Sequence, residues 1–158
     1  MKVGIGQDSH RIDYNNPDKK LILAGIEFKE NYSLLANSDG DVILHAITNA
    51  ISGITCKNIL GVISDEMCKK KGIKNSEEYL KEALKYLSEP IKHVSISIEC
   101  KTPKINPRID EMRNSIARIM NISEKCVGIT ATSGEELTEF GNGNGISAFA
   151  CVTVEWKF

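Results

Sequence analysis

Apolar positions in this chain recur with two different periods, and the switches between them mark its elements. Over residues 91–101, Val94, Ile96, Ile98 and Cys100 alternate with His93, Ser95, Ser97, Glu99 and Lys101, the period of two expected of a strand covered on one face. Residues 1–7, 20–28, 125–132 and 146–158 read as further strands, with 20–28 interrupted at Gly25 by a turn or bulge. Three stretches follow helical spacing instead. Residues 39–53, capped by Asp39 and stopped at Gly53, place Ile43, Ile47, Ala50, Ile51 and Ile54 on one side and Asp41, His45, Asn49 and Ser52 on the other. His45 therefore points away from the helix's own apolar stripe. A second helix runs from an Asn75 or Ser76 cap to about Ser88 and buries Tyr79, Leu80, Ala83, Leu84 and Leu87. A third covers 106–120, with Pro107 in its first turn and a stripe of Ile109, Met112, Ile116 and Ile119. Residues 55–74 sustain no period and read as a mobile loop with one helical turn near 65–71, of a length that often covers a binding site.

In this order the elements predict an α/β fold of the α+β sandwich kind, a mixed four-stranded sheet with helices on one face. The other face retains apolar positions, Phe149 and Val127 or Ile129, and self-association is the simplest way to cover them. A length of 158 residues fits one domain, 1–158, with a core that needs no staples. Twenty basic against 21 acidic residues leave a formal charge of −1, which excludes a general attraction to nucleic acid or anionic membrane, so any basic site must be local. Five dispersed cysteines form no C-x-x-C pair, arguing against both a disulfide framework and a thiolate zinc cluster. The first residues lack a basic-then-apolar leader and no apolar run reaches membrane length. The expected location is the cytoplasm, or a plastid-type organelle lumen had a targeting segment been removed.

The candidate chemistry starts at Asp8 and His10, which alternate along a strand and so leave on the same face, able to close on one divalent ion. His45 is the natural third ligand, and an Asp, His, His set leaves the fourth position of zinc open, as catalytic sites require. The same residues fit a strand-end turn beside a solvated helix histidine equally well. In Lys101-Thr102-Pro103-Lys104, two ammonium groups and a hydroxyl lie between a strand end and a helix start, where phosphate binds readily; a solvated turn has the same composition. In Ala131-Thr132-Ser133-Gly134-Glu135, hydroxyls and amides could meet a phosphate or base edge and Glu135 a hard ion such as Mg²⁺, and here too a plain β-turn suffices. The alternating glycines 141, 143 and 145 form a tight connection without a Walker or dinucleotide fingerprint.

Taken together, G-x-G-x-D-x-H at 4–10, S-D-G-D-V-x-L-H-A at 38–46, P-K at 103–104, A-T-[ST]-x-E at 131–135 and G-x-G-x-G-I at 141–146 resemble the 2-C-methyl-D-erythritol 2,4-cyclodiphosphate synthase family of the non-mevalonate isoprenoid pathway, over nearly the whole chain. The resemblance implies that Asp8, His10 and His45 bind Zn²⁺, with Mn²⁺ or another divalent ion as an alternative. It implies Mg²⁺ on the substrate diphosphate, contacted by Glu135. Cys100, Lys101, Thr102, Pro103, Lys104 and Ile105, with Ala131, Thr132 and Ser133, match the family's cytidine pocket. Lys104, Thr132 and Glu135 are the implied catalytic groups, and Asn37, Ser38, Asn58 and Asp65 match the segments that hold the methylerythritol part. The family reaction converts 4-diphosphocytidyl-2-C-methyl-D-erythritol 2-phosphate to the 2,4-cyclodiphosphate with loss of CMP, in a homotrimer whose active sites lie between neighbouring subunits. The chain departs from the family pattern at Asn37, where histidine is usual, at Asn49, where aspartate is usual, and at Asn58-Ile59-Leu60 in place of Asp-Ile-Gly. Around the family's threefold axis, Gln7, Glu139, Asn142 and Phe149 replace Phe, Phe, Arg and Glu, a departure from the family's isoprenoid pocket there. Two rivals share the metal ligands: a zinc-dependent phosphohydrolase and a non-catalytic metal-binding module.

Overall fold

The long first strand, β1 (Lys2–Asp13), joins the two ends of the chain. In the computed structural model, which describes residues 1–156, it pairs antiparallel with β7 (Gly145–Val154), from Lys2 opposite Val154 to Arg11 opposite Gly145. Its other edge takes the two-residue β4 (Ser33–Leu34). Beyond β7 lies β5 (Ile91–Glu99), antiparallel to it, and then β6 (Val127–Thr132), parallel to β5. The order β4-β1-β7-β5-β6 makes a mixed five-stranded sheet. The fifth strand is the short β4, too brief to show a period in sequence. The run 20–28 is a separate hairpin, β2 (Leu21–Leu23) and β3 (Ile26–Phe28), folded back through Ala24 and Gly25, both at positive φ. Of the expected final strand, residues 157–158 lie outside the described residues.

Helices α1 (Val42–Thr55), α3 (Ser76–Leu84) and α4 (Ile109–Met120) cover one face of this sheet, and α4 supplies the crossover that parallel β5 and β6 require. The cap of α1 is Asp41, not Asp39. Its carboxylate accepts the N–H groups of Ile43 and Leu44, both at 3.1 Å, and also those of Ala24 at 3.0 Å and Gly25 at 2.6 Å. One side chain thus starts the helix and anchors the β2–β3 turn. Burial, reinforced by the charge of Asp39, pushes this carboxyl up to about 6. The polar side of α1 is not solvated either, since His45 is only 7% exposed.

The expected loop at 55–74 contains a full helix, α2 (Val62–Lys71). None of its residues is buried, so it has no apolar stripe for the sequence to reveal. Its end is nevertheless well formed: Gly72 at φ 66 donates to Cys68 O, and Lys69, Lys70 and Lys71 lie at the negative end of the helix dipole. On the open face of the sheet Phe149 is exposed as expected, but the other apolar positions differ. Val127 and Ile129 pair with Val94 and Ile96 and face the helices, whereas Val3, Ile5 and Phe149 stand exposed on the opposite side.

Candidate metal centre and adjoining pockets

Gly4, Gly6, Asp8 and His10 occupy successive same-face positions of β1 and look toward α1. A Cβ on Gly4 would come within 2.0 Å of Ala50 O, and one on Gly6 within 2.0 Å of Ala46 O. Only bare glycine backbone lets the helix lie this close. The next two positions along the strand then fall beneath His45, and Asn49 Nδ2 pins the contact by donating to Gln7 O at 3.0 Å. Asp8 Oδ2, His10 Nε2 and His45 Nδ1 converge as a result. Asp8 Oδ2 lies 2.9 Å from His45 Nδ1 and 3.1 Å from His10 Nε2, and the two ring nitrogens are 3.4 Å apart. Bonds of ~2.0–2.1 Å in a tetrahedral ion place neighbouring donors ~3.3 Å apart, so the three atoms fit such an ion with one position left over. Burial would raise the Asp8 carboxyl, but hydrogen bonds from both histidines outweigh it and hold the group at about 2. Asp8 therefore remains an anionic ligand.

The triad opens into a cavity of about 320 Å³ that is also lined by Asn37, Ser38 and Asp65. Leu60 and Ser64, in the segment between Asn58 and Asp65 expected to hold the polyol, share its wall with Cys68 and Tyr79; sequence reasoning missed the last two because Cys68 reads as loop and Tyr79 as helix core. Asn58 is exposed and outside that lining. A second cavity, of about 370 Å³, is lined by Cys100, Lys101, Pro103, Lys104 and Ile105 together with Ala131, Thr132 and Ser133. Thr102 does not line it, because its hydroxyl is 2.8 Å from Tyr32 Oη. Cys100 packs rather than reacts: burial pushes its thiol up to about 12. Glu135 is exposed on the turn after Ser133, at φ 46, and lines neither cavity. Asp8, Ala148, Ile98 and Ala131 stand in one row across β1, β7, β5 and β6. Both cavities are thus at the same end of the sheet, three strand spacings or ~14 Å apart.

Residues 1–155 match the YgbB family. The chain belongs to that family. A 2-C-methyl-D-erythritol 2,4-cyclodiphosphate synthase of Chlamydia muridarum is 49% identical over 155 residues, covering 97% of this chain and 87% of that protein. The synthase of Chlamydia felis is 50% identical, covering 97% and 88%. Among solved structures, a 2C-methyl-D-erythritol-2,4-cyclodiphosphate synthase in its CDP-bound form superimposes with a TM-score of 0.86 at 25% identity, over 98% of this chain and 100% of that one. The synthase from Plasmodium vivax gives 0.81 at 29% identity, over 99% of each chain. Sequence and fold thus converge on the same family.

Proposed function

We infer that this chain is a 2-C-methyl-D-erythritol 2,4-cyclodiphosphate synthase, the activity for which its relatives are named. It converts 4-diphosphocytidyl-2-C-methyl-D-erythritol 2-phosphate to the cyclic diphosphate and releases CMP. The observation that carries the reading is the open three-donor cluster of Asp8, His10 and His45, at the same sheet end as the cavity lined by Lys104 and Thr132. An oxygen of the 2-phosphate attacks the β-phosphorus, the bond from that phosphorus to the bridging oxygen breaks, and CMP leaves with the electron pair. Such transfers need positioning and charge neutralisation more than covalent help.

Each residue has a part in that scheme. The Lys104 ammonium and the Thr132 hydroxyl hold phosphate oxygens, while the backbone around 100–105 and 131–133 reads the cytosine edge. Asn37, Ser38 and Asp65 receive the methylerythritol hydroxyls, and the asparagine does so without the proton exchange of a histidine. Asp8, His10 and His45 would hold Zn²⁺, which supplies Lewis-acid polarisation of a phosphate oxygen. Glu135 would offer one carboxylate to Mg²⁺, which would neutralise charge on the substrate diphosphate. The exposed Val3, Ile5 and Phe149 support a homotrimer joined through the open sheet face, with the metal cluster of one subunit facing the cytidine pocket of the next. A cytoplasmic location belongs to the same reading.

The deciding assay supplies the cytidine substrate to zinc-loaded protein and separates the products. CMP with the cyclic diphosphate is expected. Inorganic phosphate would indicate a phosphohydrolase, and bound zinc without turnover a non-catalytic module. His45→Ala should lower bound zinc well below one per chain and nearly abolish turnover, and full zinc occupancy in that variant refutes the ligand assignment.

A further inference from the structure

We propose that Ser76 and Asp39 are positioning residues that lock His45 into the one tautomer able to face a metal ion. The inference rests on the metal reading above but concerns groups outside the ligand triad. Ser76 is the first residue of α3 and is fully buried. Its Oγ lies 2.8 Å from His45 Nε2, on the side of the ring away from Asp8 and His10. The same hydroxyl bonds Asp39 Oδ1, and the Ser76 N–H donates to Asp39 Oδ2 at 2.9 Å. Asp39 Oδ1 also receives the Asp41 N–H at 3.2 Å.

The protons can be counted. A carboxylate only accepts, so the single hydroxyl hydrogen of Ser76 must point to Asp39. What Ser76 Oγ turns toward His45 is then a lone pair, and Nε2 must carry the ring hydrogen. Nδ1 lies on the far side of the ring, 2.9 Å from Asp8 Oδ2 and 3.4 Å from His10 Nε2, where a cation would take the place of any proton it shares with Asp8. In the opposite tautomer, Nε2 and Ser76 Oγ would face each other with no hydrogen between them unless the serine abandoned Asp39. The relay is buried at its centre and held from two elements, α1 and α3, so the ring also has a fixed plane. Partners of this kind on metal-bound histidines change metal affinity by about 10–100-fold when removed.

The test is made on the full chain, with zinc alone as the probe. Nitrogen NMR of the metal-free protein should show His45 carrying hydrogen at Nε2, and Ser76→Ala should shift it to the Nδ1–H tautomer that Asp8 accepts. In chelator-competition titrations, Ser76→Ala should weaken zinc binding about 10–100-fold, Asp39→Asn should weaken it less, and Ser76→Thr, which keeps the hydroxyl, should recover most of the loss. Asn75→Ala serves as the control for mere loosening of α3, because Asn75 caps that helix through Glu77 N without touching His45. It should lower thermal stability and leave zinc affinity within about twofold. Unchanged zinc affinity and tautomer in both Ser76→Ala and Asp39→Asn overturn the relay, as does an equal loss of affinity in Asn75→Ala. Wild-type protein that takes up no zinc, yet shows the Nε2–H tautomer lost in Ser76→Ala, sinks the metal reading and leaves the relay standing.

Discussion

A methyl group at Gly6 would fall 2.0 Å from Ala46 O and 2.4 Å from Ala50 N, backbone atoms that cannot rotate aside. Gly6→Ala should therefore lift α1 from β1, cost about 3 kcal/mol or more of stability, and reduce bound zinc although no donor has changed. Gly53→Ala makes the contrast: its nearest neighbours are at 3.7 and 3.9 Å, and an exposed helical alanine should stabilise by up to about 1 kcal/mol. Thermal melts and metal analysis of the two variants test this, and normal zinc content in Gly6→Ala would count against the close-approach argument. At this scale the sequence showed which residues recur but not how far apart they lie. Asp8 and His10 were legible because a strand's period of two fixes their common face. The reason for Gly4 and Gly6 was not, since it is a distance between two backbones. Thr102 follows a pocket residue in sequence yet turns to Tyr32, because a turn leaves a strand end in no direction that composition dictates. Ser76 could be read as a helix cap and nothing more.

Among the elements, those with a buried stripe were found and those without one were not. α4 and β5 were legible from periodicity. α2, which buries none of its residues, showed only as a single turn near 65–71, although its i,i+4 pairs Lys69 with Asp65 and Lys70 with Glu66 were in plain view. The contact between α3 and α4 was equally hidden, because periodicity says nothing of which helices touch. Both nitrogens of the Arg118 fork donate to Glu77 at 3.1 Å, and this hydrogen bonding holds the Glu77 carboxyl at about 2 against an ordinary value of 4.5. A depressed carboxylate stabilises the fold fully above its unfolded value and loses that contribution as pH falls through the folded one. Wild type should thus exceed Glu77→Gln by about 1 kcal/mol near neutrality, as expected for a partly exposed pair. The gap should close between pH 4.5 and about 2. Denaturation curves of both proteins across that range give the check, and a gap independent of pH would remove the ion pair from the account.

For the whole molecule, patterning predicted a helix-covered sheet with an open face and Phe149 on it, but misplaced Val127 and Ile129 and did not single out Val3 and Ile5. That outcome depends on register, which places Val127 and Ile129 inward and leaves Ile5 72% exposed. Ile5→Glu should turn the proposed trimer into monomers by sedimentation. It should also lose turnover while keeping one zinc per chain, because Asp8, His10 and His45 all come from a single chain. Loss of zinc together with the assembly would mean that the ligand set is shared between subunits. The strand order has one more consequence, in the time taken to make the protein. All three metal donors and both positioning residues lie before residue 77, yet the strand that carries Asp8 and His10 has only the two-residue β4 beside it until residues 145–154 are made. A chain emerging from the ribosome amino end first thus completes its ligand set early, but the strand that carries two of them gains its long partner only when the last strand slots between β1 and β5. On the metal reading proposed above, uptake is then expected to be a late event of synthesis.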